Sequence, residues 1–373
     1  MSAVAAQTGK RMRFALVGAG VIGTHHGRVI SELDDRIELV AVVDVQHERA
    51  KQLAAEHGGM AFSSLHDALS EVQIDAVTIC TPTGRHGEGA IAALQAGKHV
   101  IIEKPAEVTV AKTEEIIAAQ RRAGTLVAVI SQHRFDPATE VTVDAIRRGE
   151  LGRLTTGIAS IDWWRGQGYY DSGDWRGTWA LDGGGALMNQ GVHTVDLLLA
   201  TMGRPVEVFA YTGTLAHQRI EVEDAAVGVV RFESGALGVL HATTAAYPGL
   251  SARLQVHGDR GSVVIDNDEL SFIHVTRAGS QAEEKSYGSA STSVNQIAEY
   301  AQASAAAVGA GSNPGSLTTS SHRRQYENFL AAVNGKEKLR VDLETNRQSI
   351  AVITGVYESA RTGQPVRLEA FGQ

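Results

Sequence analysis

The stretch Arg13–Gly23 (RFALVGAGVIG) decides the fold of this chain of 373 residues. An apolar run with strand character stops at three glycines spaced G-x-G-x-x-G, and residues 24–33 after them read as a helix. The first glycine of such a loop makes a tight turn, the second lets backbone approach a pyrophosphate, and the third lets helix pack on strand. The unpaired N–H groups at the N-terminus of the following helix can bind the phosphates. A dinucleotide site is therefore predicted at Gly18, Gly20, Val21, Ile22 and Gly23.

Asp44 supports this prediction, because it stands at the end of a second apolar strand, Ile37–Val43, about 20 residues beyond the glycines. An acidic side chain there accepts hydrogen bonds from the adenosine ribose. It would repel a 2′-phosphate, and the next residue is Val45 rather than an arginine that could pair with one. We therefore predict NAD rather than NADP. A helix N-cap role for Asp44 is compatible with this reading.

The composition is that of an ordinary globular enzyme. The net charge of −8 argues against nucleic acid or an anionic membrane surface as partner. The single cysteine, Cys80, lies in an apolar run, so no disulfide framework is expected. Residues 1–11 lack the apolar core of a signal peptide and read as a flexible tail, and no run is long enough to span a bilayer. We expect a cytoplasmic protein.

Two domains are predicted from the order of the elements. Residues 12–133 alternate strands and helices, which is typical of a doubly wound parallel sheet, the Rossmann arrangement. Residues 134–373 contain successive β-type segments, which predict an α+β domain with a large open, mainly antiparallel sheet. This second domain, which would bind the substrate, would include a loop over 288–321 with one short helix (295–307) and two closing helices at 321–334 and 343–362.

Lys104 is the first candidate for chemistry. It follows an apolar strand, so it should reach the crevice at the carboxyl edge of the parallel sheet, where ligands bind. There its ammonium could stabilise a developing alkoxide and, with a pKa lowered by burial, shuttle protons. A lysine in a surface turn is the competing interpretation.

His193 is the second candidate, because it comes shortly after the glycine run of the segment 182–196 (DGGGALMNQGVHTVD). A helix from about Ala186 would put Asn189 and His193 on one face, with Asp196 one turn further on. Histidine suits proton transfer near neutral pH, although His193 and Asp196 could instead pair structurally. No second histidine or cysteine stands at ligand spacing, so no metal is predicted.

A short aromatic segment, residues 162–179, contains all four tryptophans of the chain and two of its eight tyrosines. Aromatic faces stack on the apolar faces of sugar rings, and interleaved charges bind hydroxyl or anionic groups, so a sugar-binding wall is predicted rather than a packed loop. Arg165 and Arg176 could clamp a carboxylate, phosphate or sulfonate. The predicted substrate contacts are Asn189, Arg165, Tyr169, Trp175, Arg176 and Asp182.

Further cofactor contacts are predicted where loops follow the strands of the first domain. His25, His26 and Cys80 are interpreted as structural, and His86 could also open a helix without touching a ligand. The predicted contacts are Thr81, Thr83, His86, Glu103, Lys104 and Gln132.

Together these motifs resemble the glucose–fructose oxidoreductase / inositol dehydrogenase / MocA family over nearly the whole chain. The resemblance implies a Rossmann domain followed by an open-sheet domain whose outer face often forms dimers or tetramers. It also implies that Lys104 and His193 act at the substrate and that Pro105 is cis. The family's usual acidic residue four positions before the histidine is Asn189 here, which cannot exchange a proton. The matching stretches are Gly18–Gly23, Asp44, Glu103–Pro105, Gly183–Asp196, Glu223–Asp224, Phe232–Ala236, His257–Gly258 and Ile353–Gly363.

Three functions are compatible with this sequence. The first is NAD-dependent oxidation of a secondary hydroxyl of a sugar, sugar derivative or cyclitol. The second is a glycoside hydrolase that holds NAD through transient oxidation, elimination, hydration and re-reduction. The third, a redox-sensing regulator without catalysis, is disfavoured by the placement of Lys104 and His193. A small-molecule substrate and a homodimer or homotetramer are expected.

Overall fold

A computed structural model describes residues 11–276, 294–304 and 318–369 of the chain. The predicted N-terminal tail lies almost wholly outside the described residues, and so does most of the predicted loop over 288–321. Within that loop the structure shows one helix, Ile297–Ser304, where residues 295–307 were predicted helical. In the described ranges no helix is both long and apolar enough to cross a lipid bilayer.

The first domain has the predicted parallel sheet. All its strands are parallel, in the order β3-β2-β1-β4-β5-β6. Strands β2 and β3 extend the sheet on one side of β1, and β4, β5 and β6 extend it on the other. The strands are β1 (Met12–Val17), β2 (Ile37–Val43), β3 (Met60–Phe62), β4 (Ala76–Ile79), β5 (His99–Ile102) and β6 (Val127–Val129). The helices are α1 (Val21–Ser31), α2 (His47–His57), α3 (Leu65–Glu71), α4 (His86–Gln95) and α5 (Val110–Ala123).

The second domain is built on an eight-stranded sheet in the order β13-β12-β11-β7-β10-β9-β8-β14. Neighbouring strands are antiparallel except β7 and β10, which are parallel. The strands are β7 (Leu154–Asp162), β8 (Pro205–Gly213), β9 (Ala225–Phe232), β10 (Leu237–Thr243), β11 (Ala252–Gly258), β12 (Gly261–Asp266), β13 (Glu269–Val275) and β14 (Val366–Arg367). The helices are α6 (Pro137–Arg147), α7 (Gln167–Tyr170), α8 (Val192–Met202), α9 (Ile297–Ser304), α10 (Ser320–Val333) and α11 (Leu343–Thr362).

Helix α8 packs closely on the inner face of this sheet. Gly157 on β7 makes the approach possible, since a Cβ there would lie 2.7 Å from Leu198 Cδ1 and 2.8 Å from Met202 Cγ. Alternation of buried and exposed residues along β9 leaves the other face of the sheet open to solvent. The packing of α8 fixes the position of its first turn, which carries His193.

Helix α10 packs against the first domain, although its sequence position placed it with the second. Phe14 on β1 contacts both Tyr326 and Phe329, with ring centroids 5.9 and 6.1 Å apart. All three rings are fully buried. The parallel sheet therefore completes its core only when a C-terminal helix returns to it.

The predicted helix from about Ala186 differs in geometry. Residues Ala186–Gly191 form a π-helical turn, and regular α-helix begins only at Val192. A Cβ on Gly185 would lie 1.7 Å from the backbone oxygen of Glu223, so this glycine lets the turn press against a neighbouring loop. Since π geometry widens each turn, spacings of four residues do not align as in an α-helix.

Candidate active site

The glycine loop joins β1 to α1 in the manner that its spacing predicts. Gly18 has φ +100°, and a Cβ there would lie 2.5 Å from the Cys80 carbonyl oxygen. A Cβ on Gly23 would lie 1.9 Å from the oxygen of Gly18, so the helix packs directly on the turn. A Cβ on Gly20 would meet nothing within 4 Å, so this glycine leaves its side of the loop open for a ligand.

Asp44 lies beside this loop at the end of β2. Its Oδ2 accepts a hydrogen bond from the backbone N–H of Ala19 at 2.8 Å, and its Oδ1 accepts one from the N–H of Gln46 at 2.7 Å. Neighbouring Val45 is exposed and provides no cation for a 2′-phosphate. This arrangement fits the ribose-binding role that was predicted for Asp44.

His86 connects two loops at the carboxyl edge of the sheet. Its Nδ1 lies 2.8 Å from the backbone oxygen of Pro105, and its Nε2 lies 2.8 Å from that of Thr81. The ring is buried, and burial lowers its pKa despite these two carbonyls. His86 therefore holds both loops together. Thr83 is buried in the short turn Thr83–Arg85, just before His86. Direct contact of His86 and Thr83 with the cofactor stays a prediction.

Glu103 is held at the end of β5 by a buried histidine network. Its Oε1 lies 2.8 Å from His26 Nε2 and 3.9 Å from His322 Nε2, and its Oε2 accepts a hydrogen bond from the backbone N–H of Lys104. Burial opposes ionisation, but these histidines hold the pKa of Glu103 well below its usual value. The carboxylate thus fixes the backbone that presents Lys104, next to a cis peptide bond between Lys104 and Pro105.

Lys104 extends from this loop toward the second domain. Its Nζ donates a hydrogen bond of 2.9 Å to the backbone oxygen of Asn189 in the π-helical turn. Burial lowers the pKa of Lys104, and the nearby cations Arg176 and Arg165 lower it further, while Glu103 and Asp182 oppose them. The placement of Lys104 between the two domains is what a group that acts on a bound substrate requires.

Asn189 brings a carboxylate close to this lysine. Its Nδ2 donates a hydrogen bond of 2.6 Å to Asp182 Oδ1, and Asp182 Oδ2 accepts another from the N–H of Gly177 at 2.9 Å. Burial raises the pKa of Asp182. A carboxylate is therefore present beside the position where the family resemblance led us to expect an acid, but it comes from seven residues earlier in the chain.

His193 lies on the first turn of α8, close to Lys104. Burial, then the charge of Lys104 and then that of His133 lower the pKa of His193 well below its ordinary value. The rings of His133 and His193 meet edge to face with centroids 4.9 Å apart. A histidine kept neutral next to a lysine can accept a proton from a substrate hydroxyl.

His133 is a neighbour of His193 that the sequence did not single out. Its Nδ1 lies 2.8 Å from Asp136 Oδ2 and 3.0 Å from Asp268 Oδ1, and these carboxylates hold its pKa well above the usual value despite burial. Asp268 lies in the two-residue turn between β12 and β13. Such a contact across 135 residues leaves no local signal in the sequence.

Asp196 does not join the substrate site, although it was predicted on the same helix face as His193. Both of its carboxylate oxygens accept hydrogen bonds from Arg134, at 2.6 and 2.7 Å, and Ser131 also donates to it. Asp196 thus anchors the turn that follows β6 to helix α8. Asp196 therefore has a structural partner, but that partner is Arg134 and not His193.

The aromatic segment carries two arginines stacked on aromatic rings. The guanidinium carbon of Arg176 lies 4.3 Å from the ring centroid of Tyr169 and 4.4 Å from that of Trp175. That of Arg165 lies 5.1 Å from the ring of Trp163 and 5.5 Å from that of Tyr169. The rings bind the faces of the cations, while the N–H groups of a guanidinium lie in its plane. The segment is therefore both aromatic and cationic.

The residues present fit NAD. Among the buried polar atoms of the described ranges that have no hydrogen-bond partner are Thr81 Oγ1 and Gln132 Oε1. Both residues follow strands of the parallel sheet, on the edge where the glycine loop opens. The amide oxygen of Gln132 can accept a hydrogen bond from the carboxamide of a nicotinamide. Together with Gly20 and Asp44, they provide groups for the pyrophosphate, the ribose and the nicotinamide end.

Two clusters of histidine and carboxylate groups have ligand atoms close enough to share a metal ion: His26, Glu103 and His322, and His133, Asp136 and Asp268. In both clusters, hydrogen bonds between the members account for the short distances. We assign no metal to either cluster, and the absence of a metal stays a prediction.

Fold and site together define a nicotinamide-dependent oxidoreductase with a Rossmann domain. Residues 12–131 match the family model of oxidoreductases with an NAD-binding Rossmann fold, and residues 142–264 match the GFO/IDH/MocA C-terminal domain. The chain belongs to the glucose–fructose oxidoreductase / inositol dehydrogenase / MocA family, as its motifs indicated, and NAD is its cofactor.

The named relatives of this chain include dehydrogenases of a cyclitol and of a glucoside. It is 30% identical to myo-inositol 2-dehydrogenase of Thermotoga maritima over 71% of this chain and 78% of that protein. D-glucoside 3-dehydrogenase of Escherichia coli is 26% identical over 97% of this chain and 99% of its own length. The crystal structure of the WlbA dehydrogenase of Bordetella pertussis, in complex with NADH and UDP-GlcNAcA, superposes with a TM-score of 0.85 at 32% identity, over 97% of this chain and 99% of that one.

The buried histidines next to Glu103 predict sensitivity to acid. His25 is buried with its Nε2 3.2 Å from His322 Nδ1, and burial first, then His322, lowers the pKa of His25 to about 3. His25 stays neutral in the fold but binds a proton near pH 6.5 when unfolded. Its contribution to stability is thus complete above about pH 6.5 and is lost as the pH falls toward 3, by about 1.4 kcal/mol per pH unit.

This expectation is checked by denaturant unfolding at pH 7.5, 6.5 and 5.5. His25→Gln should show a shallower loss of unfolding free energy with falling pH than the unchanged protein, whereas His66→Gln, at an exposed histidine, should show the same loss. Equal slopes for all three proteins would contradict the role assigned to His25.

Proposed function

We propose that this protein is an NAD-dependent dehydrogenase that oxidises a secondary hydroxyl group of a sugar, sugar derivative or cyclitol. The observation that carries the proposal is the meeting of Lys104, at the carboxyl edge of the nucleotide-binding sheet, with the turn that leads into His193. The carbohydrate and cyclitol dehydrogenases among its relatives support the substrate class.

The two side chains divide the work on the hydroxyl group. His193, kept neutral by burial and by Lys104, accepts the hydroxyl proton. Lys104 stabilises the negative charge that develops on the oxygen as the proton leaves. NAD, when bound, supplies the acceptor for the hydride that leaves the carbinol carbon, so the alcohol becomes a ketone.

Asn189 and Asp182 orient these groups and the substrate. The Asn189 carbonyl fixes the ammonium of Lys104, and its side chain is tied to Asp182, so the turn is rigid before substrate binds. We propose that the Asn189 amide and the Asp182 carboxylate contact neighbouring hydroxyl groups of the substrate. Trp175 and Tyr169 stack beside them as the aromatic wall.

The experiment that tests this function follows absorbance of NADH and release of aglycone together. The protein is incubated with NAD⁺ and a panel of free sugars, cyclitols, sugar acids and aryl glycosides. Stoichiometric NADH from a free sugar, sugar acid or cyclitol supports the proposal. Aglycone release that requires NAD⁺ without accumulating NADH would instead identify a glycosidase, and no reaction with any member of the panel would overturn the substrate class.

We also propose that the chain forms a homo-oligomer through the open face of the eight-stranded sheet. Val227 and Val229 on β9 and Leu237 and Val239 on β10 are between 40% and 53% exposed there. A contiguous apolar sheet face of this kind is typical of a protein interface. Val229→Asp is expected to reduce the mass measured by light scattering to that of a monomer, while Leu215→Asp, at an exposed leucine off this face, leaves the mass unchanged. A monomeric unmodified protein would contradict the proposal.

A further inference from the structure

The substrate side of the site carries more positive than negative charge. Lys104, Arg165 and Arg176 are close enough for the two arginines to lower the pKa of the lysine. Asp182 is the carboxylate on this side, and its two oxygens already accept hydrogen bonds from Asn189 and Gly177.

Arg176 is held in place without an acidic partner. No ion pair or hydrogen bond of its guanidinium to a carboxylate occurs within the described part of the chain. The partly buried Arg134 and Arg347, by contrast, each pair with a carboxylate, Asp196 and Glu114. Arg176 is stacked between Tyr169 and Trp175 instead, which leaves its in-plane N–H groups for a ligand.

The platform under Arg176 is rigid and connects to the reacting centre. Tyr169 OH accepts a hydrogen bond of 3.2 Å from Gln190 Nε2, and Gln190 adjoins Asn189, which holds Lys104. The neighbouring Tyr170 OH lies 2.7 Å from Thr244 Oγ1, so the short helix α7 is anchored on the second sheet. A cation on such a support loses little freedom when it binds a charged group.

We infer that the substrate carries an oxyanion, a carboxylate, phosphate or sulfonate, which Arg176 binds with Arg165 while the hydroxyl to be oxidised faces Lys104 and His193. This inference rests on the proposed function and specifies its substrate class. A guanidinium presents two parallel N–H donors to such a group, and its stacking on Tyr169 leaves those donors available. A neutral sugar would add no negative charge to that of Asp182, whose pKa burial raises and Arg176 already lowers without a hydrogen bond between the two side chains.

The test measures binding and turnover of matched pairs that differ in one charged group. The pairs are methyl α-D-glucuronide with methyl α-D-glucoside, glucose 6-phosphate with glucose, and UDP-glucuronate with UDP-glucose. Affinity for the complex of the protein with NADH is measured by calorimetry, and turnover by NADH formation from NAD⁺. The acidic member of at least one pair should bind tenfold or more tightly than its neutral partner. The first and third pairs test a carboxylate, on a simple glycoside and on a nucleotide sugar, and the second pair tests a phosphate.

Variants separate this role from folding and from catalysis. Arg176→Met should raise KM for the acidic substrate tenfold or more with kcat changed less than threefold, and should leave any neutral substrate unaffected. Arg176→Lys, which keeps the charge but not the paired donors, should fall between. Arg204→Met, at a half-exposed arginine that pairs with Glu233, is the control and should behave as the unchanged protein.

The outcomes distinguish the two proposals. If neutral sugars are oxidised, and if acidic sugars bind no more tightly than their neutral partners and keep the same KM in Arg176→Met, the oxyanion is overturned and the dehydrogenase is left standing. Tight binding of an acidic sugar that Arg176→Met abolishes, with no NADH formed from any compound, would overturn the proposed function and leave the anion site standing. If Arg176→Lys and Arg176→Met both lose affinity for the acidic and for the neutral compounds, Arg176 is needed for folding, and the inference is overturned.

Discussion

Replacing Lys104 by methionine is expected to lower kcat by about 10²- to 10³-fold, the usual cost of removing one group that stabilises a developing oxyanion. The ammonium lies at the junction of the two domains and donates a hydrogen bond to the carbonyl of Asn189. Among the charged groups around His193, its charge lowers the pKa of that histidine most. Methionine keeps much of the length of the side chain but removes its charge. NADH should bind as before, because the glycine loop and Asp44 are unchanged.

The measurement is steady-state turnover of the substrate that the panel identifies, together with NADH titration by fluorescence. Lys336→Met, at an exposed lysine far from the site, is the matched control and should leave both values unchanged. Persistent turnover in Lys104→Met would rule out a catalytic role for Lys104. Loss of NADH binding together with turnover would show instead that the lysine holds the cofactor loop.

Replacing His193 by asparagine is expected to lower kcat/KM by about 10²- to 10⁴-fold, the range that general base catalysis contributes. Asparagine occupies a similar volume and can still form a hydrogen bond, but it cannot accept the hydroxyl proton. The loss should be smallest at high pH, where solvent hydroxide can take the proton. An unchanged kcat/KM at neutral pH would eliminate His193 as the base.

The pH profile of the unchanged protein tests the same residue independently. Burial and the charges of Lys104 and His133 lower the pKa of His193, while Glu103 opposes them and His322 adds to them. Because the neutral form is the active base, kcat/KM should stay constant as the pH falls through 6.5, the ordinary pKa of histidine, and should decline only at still lower pH. In Lys104→Met one of these cations is missing, so the decline should move to higher pH. A decline at the same pH in both proteins would contradict the proximity of the two groups in solution.

Much of the cofactor site could be predicted because it depends on local rules. Three glycines at fixed spacing need only a strand before them and a helix after them, and Asp44 follows from the length of one βαβ unit. Lys104 was predicted at the site because it follows the end of a strand, and His193 because it follows a run of glycines. In each case a few consecutive residues contain the whole signal.

The remaining features depend on contacts between distant segments. Asp268 reaches His133, and His322 reaches Glu103, across intervals that no periodicity marks. Strand β3 has three residues, too few to show alternation. The turn before β13 was visible in principle, since Asn267 and Asp268 both adopt positive φ and such pairs favour hairpins.

The π-helical turn also escaped prediction, for a different reason. The same residues can form an α-helix or a π-helix. Here the start of the turn is bonded to a distant residue, because the carboxylate of Glu223 accepts hydrogen bonds from the N–H groups of Gly185 and Leu187. The turn directs the backbone oxygen of Asn189 at Lys104. The sequence therefore indicated that Lys104 and His193 belong to one site, but it did not indicate the turn that lies between them.

The return of α10 to the first domain means that the nucleotide-binding half is not a transferable module. A break after residue 133 would expose the rings of Phe14 and its strand neighbours that Tyr326 and Phe329 cover. It would also remove His322 from the carboxylate that supports Lys104. The nucleotide-binding sheet and the loop of Lys104 thus depend on the C-terminal part of the chain. A chimaera of two relatives should therefore take α10 and the parallel sheet from the same parent.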